Sequence, residues 1–189
     1  MTGGDRLAAL RQAFIEGLSR ALDRLPPDGT VYAIAVDPGD LYDRAFLYAN
    51  TLEVLPDASA AMDHLALKWS IADWQYQGFA ADALDGFNDR LAAMTGDPYA
   101  LGPAALDAHC LRMQGFYVEA LSSPVVQDIL STRFAAARPL LGLLWTDQSD
   151  EDMVAFVEKL NPPDRAARFA EDLRRLRQLQ QDDLSALDP

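Results

Sequence analysis

Val31-Tyr32-Ala33-Ile34-Ala35-Val36 leads into the turn Asp37-Pro38-Gly39-Asp40, and Phe46-Leu47-Tyr48-Ala49-Asn50-Thr51 follows a few residues later. Two apolar runs around a turn read as a strand pair, placed at Thr30–Val36 and Arg44–Asn50. The link between them, Asp37 to Asp43, suits a hairpin loop, so antiparallel pairing is expected. Both runs are almost wholly apolar, which predicts a sheet covered on both faces. A third strand is read at Leu140-Leu141-Gly142-Leu143-Leu144-Trp145.

Helices surround these strands. Leu7, Leu10, Phe14, Ile15, Leu18, Leu22 and Leu25 make one apolar stripe and predict a helix over about Asp5–Leu25, ended by Pro26-Pro27-Asp28-Gly29. Ser70 and Asp73 have the spacing of a capping box and predict a short helix that Gly78 breaks. Further helices are expected over Ala81–Met94, Pro103–Leu121 and Val125–Phe134. Another runs from a cap at Ser149 to Leu160, where Asn161-Pro162-Pro163 breaks it. A last amphipathic helix carries Phe169, Leu173 and Leu176, with fraying from about Gln181. Together these give an α+β fold over residues 1–189: a single domain with a small, mostly antiparallel sheet packed with several helices.

Composition limits the function. The formal net charge of -13 disfavours nucleic acid and anionic lipid as partners and favours either bare solubility or a basic protein partner. Cys110 is the only cysteine, so no intrachain disulfide forms and a reducing compartment is expected. Met1–Leu10 lacks the basic start and apolar core of a secretion signal, which points to the cytoplasm. Its longest apolar run, Leu140–Trp145, is far too short to span a bilayer.

Chemistry-bearing residues are few. Two histidines, His64 and His109, and one thiol are too few soft ligands for structural zinc, and no metal or cofactor is expected. G-x-S-x-G, P-loop and G-x-G-x-x-G patterns are absent from the sequence. His109 and Cys110 are neighbours on a helix and point about 100° apart, so they do not form a nucleophilic pair. Asp147, Asp150, Glu151 and Asp152, with Glu158 further on, echo a calcium loop, but the glycine such a loop needs at its sixth position is Asp152 here. Carboxylates at a helix start explain the cluster more simply. Asp37, Asp40 and Asp43 share one loop, either as turn formers or as a charged contact surface. Trp69, Trp74, Tyr76 and Phe79 are a dense aromatic group that reads as core packing or as a binding surface.

The amphipathic first helix, the strand Val31–Val36, Tyr48-Ala49-Asn50-Thr51, the Trp69-Ser70…Trp74 segment and the late strand with a helix ending at Leu160-Asn161-Pro162 together resemble an uncharacterised bacterial family, the domain of unknown function numbered 4303. The resemblance covers most of the chain and supplies no catalytic residue. Families of this kind often sit among toxin–immunity loci, so it implies a protein that binds and neutralises a toxin. The expected function is thus a cytoplasmic protein-binding module, an immunity-type inhibitor of a basic toxin domain. Its contact candidates are Asp37, Asp40, Asp43, Trp69, Trp74, Asp147, Asp150, Glu151 and Asp152. The alternative is an enzyme whose site assembles from Asp37, Asp40, His64 and Asp147. A third reading is an oligomeric structural protein using the Arg-rich last helix.

Overall fold

A computed structural model describes residues 3–26, 30–58, 61–135, 137–144 and 148–186. Trp145, Asp147 and most of the proline turn after the first helix lie outside the described residues. The order of elements is α1 (Gly3–Leu22), β1 (Val31–Asp37), β2 (Phe46–Thr51), α2 (Ala61–Trp69), α3 (Ala81–Thr95), α4 (Pro103–Leu121), α5 (Pro124–Arg133), β3 (Leu140–Leu143), α6 (Asp150–Leu160) and α7 (Pro163–Ala186).

The architecture is α+β, with the three strands in the order β2-β1-β3. β1 and β2 pair antiparallel, from Val31 opposite Thr51 to Asp37 opposite Phe46, as the hairpin reading expects. The second pairing makes the sheet mixed. β3 runs parallel to β1, with Ala33 opposite Leu140 and Val36 opposite Leu143. Leu144 continues the ladder by donating to the Val36 carbonyl at 3.0 Å.

Both faces of the sheet are covered. On one, Ile34, Val36, Leu47 and Leu141 pack against α1, α3, α4 and α5 around Phe14, Phe87, Phe116 and Tyr117. Phe14 meets Phe87 edge to face at 5.1 Å. Gly17 lets α1 approach α3, because a Cβ there would lie 2.7 Å from the Ala83 carbonyl oxygen. On the other face, Ala33, Ala35 and Leu140 pack with Trp69, Trp74, Phe169 and Leu173 from α2, the turn after it, and α7. The change of face between Val31 and Ala33 follows from a register irregularity in β1 at that point.

Neither sheet edge is left open. Tyr76 exchanges two backbone hydrogen bonds with Ala49 on β2, at 2.9 and 3.0 Å. Beyond β3, Asn161 imitates a strand: its Oδ1 accepts from the Leu141 amide at 2.8 Å and its Nδ2 donates to the Leu141 carbonyl at 2.6 Å. Covered edges remove the template for further strand pairing.

One buried polar network ties the sheet to the tryptophan segment. The Tyr32 hydroxyl donates to the Lys68 carbonyl at 2.8 Å and accepts from Asn50 Nδ2 at 2.9 Å. Asn50 Oδ1 accepts from the amides of Thr51 and Gln75 at 3.1 and 3.2 Å. Trp74 Nε1 also donates to the Lys68 carbonyl, at 3.1 Å.

Two expectations change. Ser70 makes no side-chain cap, and only a single tight 3-10 turn, Ile71–Asp73, follows it. The helix of this region instead precedes it, as α2. Replacing Asn50 by alanine strands several buried donors and acceptors, so urea unfolding is expected to show a loss of about 2–3 kcal/mol. An unchanged midpoint would show that the network does not hold the two parts together.

Candidate functional site

The loop from Asp37 to Ala45 is fixed by side chains from two helices. Within the loop, the Gly39 amide donates to Asp37 Oδ1 at 2.9 Å, and the Tyr42 amide donates to the Gly39 carbonyl at 3.1 Å. Tyr42 holds a left-handed backbone with φ of 54°, unusual for a bulky residue. Tertiary contacts impose it: the ring is buried, and its hydroxyl accepts from Gln114 Nε2 at 2.7 Å. His109 Nε2 donates to the Leu41 carbonyl at 2.9 Å, while its Nδ1 accepts from Arg112, which assigns the ring proton to Nε2. The Tyr117 hydroxyl donates to the Arg44 carbonyl at 2.7 Å. Asn88 of α3 binds both the amide and the carbonyl of Ala45, at 2.8 and 3.2 Å.

The start of α6 is equally well defined. Ser149 Oγ accepts from the Asp152 amide at 3.2 Å and donates to Asp152 Oδ2 at 2.8 Å, confirming the expected cap. Asp150 meets Arg177 of α7 through two hydrogen bonds of 2.6 Å, and this holds its carboxyl below the ordinary range. Glu151 and Asp152 are exposed.

The parallel pairing of β1 with β3 brings these two segments to the same end of the sheet, since each follows the carboxyl end of one of the two strands. Burial pushes the Tyr42 hydroxyl up to about 12, and Asp152 adds to the rise. The Tyr48 hydroxyl is also raised, mainly by burial and then by Asp37. Asp37 itself titrates above the ordinary aspartate value, first because it is half-buried, with the Gly39 amide opposing and Asp40 adding to the shift. Asp43 is neutralised by Arg44, with hydrogen bonds of 3.0 Å to both carboxylate oxygens, and Asp150 by Arg177. Among the described residues of these two segments, Asp37, Asp40, Glu151 and Asp152 make no ion pair.

Beside it lies a groove of about 390 Å³ between the turn after α2 and the helices α6 and α7. Its walls are Trp69, Ile71 and Met153, and its rim carries Asp73, Asp150 and Arg177.

The other nominated residues go elsewhere. Trp69 and Trp74 are core residues, exposed by only 6% and 1%, not a contact surface. Trp69 packs edge to face on Phe169 at 4.7 Å and donates to Asp172 at 3.1 Å. The chain turns between them, at Ile71–Asp73, and both rings point inward. His64 binds the Pro56 carbonyl at 2.8 Å, beyond the carboxyl end of β2, and so stands at the opposite end of the sheet from Asp37 and Asp40. The four enzyme candidates are therefore not brought together, and Asp147 falls outside the described residues. Cys110 is partly buried, and burial followed by Asp107 pushes its thiol up, away from the reactive thiolate. Among the described residues no group of three His, Cys, Asp or Glu side chains is placed to hold a metal ion. No helix among them is long and apolar enough to cross a membrane.

The residues that support the loop, Asn88, His109, Gln114 and Tyr117, were not nominated from the sequence. One signal was available for His109: it lies on the buried stripe of α4 with Met113, Phe116 and Ala120, not beside it. No family model, curated protein or solved structure matches the chain, so the likeness to the 4303 family rests on the quoted residues alone.

The raised Asp37 carboxyl has a signed consequence. Its folded-state pKa exceeds the unfolded one, so the folded state binds more protons between the two values, and stability falls as pH rises through that window. Asp37→Asn keeps an acceptor for the Gly39 amide without the charge. It is expected to raise the unfolding midpoint at pH 7, with the gain vanishing below the ordinary value of 3.8. Equal midpoints at pH 7 would contradict the burial of this carboxylate.

Proposed function

We propose that the chain is a cytoplasmic protein-binding module whose acidic end captures a basic protein, as an immunity-type inhibitor captures a toxin domain. One observation carries the reading: two separate acidic segments converge on a frame that holds them in place before any partner arrives. A pre-ordered loop loses little conformational freedom on association, so more of the contact energy appears as affinity. Clustered negative charge attracts a basic partner from a distance and disfavours acidic competitors. The neighbouring groove offers apolar walls with Asp73 at the rim, a setting suited to the stem and head of an inserted lysine or arginine, while Asp150 is held by Arg177. The lone cysteine and the likeness to the 4303 family support the compartment and the toxin-inhibitor role. No observation favours the enzymatic or oligomeric alternatives over this one.

The test is affinity capture from lysate of the native cell, followed by binding measurements on whatever basic protein is recovered. Asp40 and Glu151 make no ion pair among the described residues, so Asp40→Lys with Glu151→Lys alters the face without disturbing the fold. The double variant is expected to bind at least about tenfold more weakly, mainly through slower association, with the difference shrinking at high salt. Unchanged affinity in the double variant would exclude this face as the contact.

A further inference from the structure

The opposite end of the sheet has the opposite charge. Where β1 and β3 begin and β2 ends, a cleft of about 210 Å³ opens between α2 and α7. Tyr32 lines it above the buried rings of Trp69 and Phe169, and Lys68, Arg165 and Arg168 supply cations. Leu52, which is 55% exposed, adds an apolar lip. Arg165 donates to the Arg138 carbonyl oxygen, while the Arg138 guanidinium itself turns to Gln127 of α5. The Arg138 guanidinium is shifted below its ordinary value by burial and then by the charge of Arg165.

The cleft is lined by three cations and one carboxylate, in a chain with 29 acidic and 16 basic residues. Arg11, Arg24, Arg44, Arg174 and Arg177 each contact a carboxylate. Arg138, Arg165 and Arg168 have no carboxylate partner among the described residues, although Asp164 and Glu53 are close to the cleft in sequence. The one carboxylate inside the cleft, Asp172, is already satisfied. Its Oδ2 accepts from Lys68 Nζ at 2.7 Å and from Trp69 Nε1 at 3.1 Å. Lys68 in turn sits over the Trp69 ring, 5.1 Å from its centre. Of the three cations lining the cleft, Lys68 is thus matched by a carboxylate, and Arg165 and Arg168 are not. Like charges held together without a counter-ion repel, and an anion bound among them relieves that repulsion. Guanidinium groups suit the planar geometry of phosphate and carboxylate oxygens.

We propose that this cleft is a binding site for an oxyanion, phosphate or carboxylate, carried by a small ligand whose apolar part lies against the half-buried Tyr32 and the exposed Leu52. Arg165 and Arg168 take the oxygens, and Tyr32 with Leu52 takes the apolar part. The site lies at the other end of β1 from the acidic loop, about 20 Å for its seven residues, and shares only the buried Trp69 with the groove beside α6.

Isothermal titration calorimetry on the full chain, at low ionic strength, tests this with phenyl phosphate and benzoate as probes. At least one is expected to bind saturably at one site, and the stronger of the two identifies the oxyanion. Arg168 is exposed and has no partner among the described residues, so Arg168→Ala should leave the far-ultraviolet circular dichroism unchanged and the melting temperature no lower. The same variant is expected to weaken binding about tenfold, the loss of one charge-assisted contact. Asp40→Lys with Glu151→Lys, at the other end, should leave anion binding within about twofold. No saturable binding of either probe would overturn the proposal, and so would equal affinity in Arg168→Ala and the unaltered chain.

Discussion

Hydrogen bonds join β1 to β3 in parallel, from Ala33 opposite Leu140 to Val36 opposite Leu143, and no tight turn can close such a pair. Everything from Pro38 to Pro139 therefore serves as a crossover. It first lays β2 on the other side of β1, then wraps α2, α3, α4 and α5 over the two faces, and returns to begin β3 where β1 begins. The direction of β3 sets the polarity of the molecule. The loop after β1 and the start of α6 share one end and make it acidic. The start of α7 meets the end of α2 at the other end and makes it basic. A reversed β3 would keep the same core residues and lose this separation of charge.

The burial of so much of the sheet obliges its polar groups to find partners within the chain. Asn50 and Tyr32 meet that requirement at the end of β2, and the Lys68 carbonyl, left open at the end of α2, accepts both the Tyr32 hydroxyl and the Trp74 indole. Asn161 does the same work at the edge of β3 and also donates to the Val157 carbonyl at the end of α6 at 2.9 Å. At the acidic end, His109, Gln114, Tyr117 and Asn88 serve the loop that carries Asp37 and Asp40. The polar interior thus has two roles. It fastens the secondary structure together, and it fixes the geometry of the exposed charges.

Much of this was legible in the sequence where one residue dictates local conformation. Pro103 in the first turn of α4 and Ser149 before α6 fixed those helix starts, and Asn161-Pro162-Pro163 separated α6 from α7. α2 was missed because Ala61–Trp69 is short and gains its stability from burying Leu65 and Trp69, contacts that no local pattern reveals. The acidic residues were identifiable as clusters, but their meeting depends on the parallel direction of β3, which periodicity does not encode. The supports of the loop lie 43 to 73 residues from the groups they bind, so only the tertiary fold brings them together. Nor could composition locate the basic cleft, because an overall charge of -13 conceals a local cluster of the opposite sign.

The parallel β1–β3 pair is open to direct observation by NMR. Coupling across the hydrogen bond from the Leu144 amide to the Val36 carbonyl is expected, with cross-strand proton contacts linking Ala33 to Leu140 and Val36 to Leu143. Contacts linking Val36 to Leu140 and Ala33 to Leu143 would show an antiparallel pair. They would carry the start of α6 away from Asp37 and contradict both the acidic end and the role drawn from it.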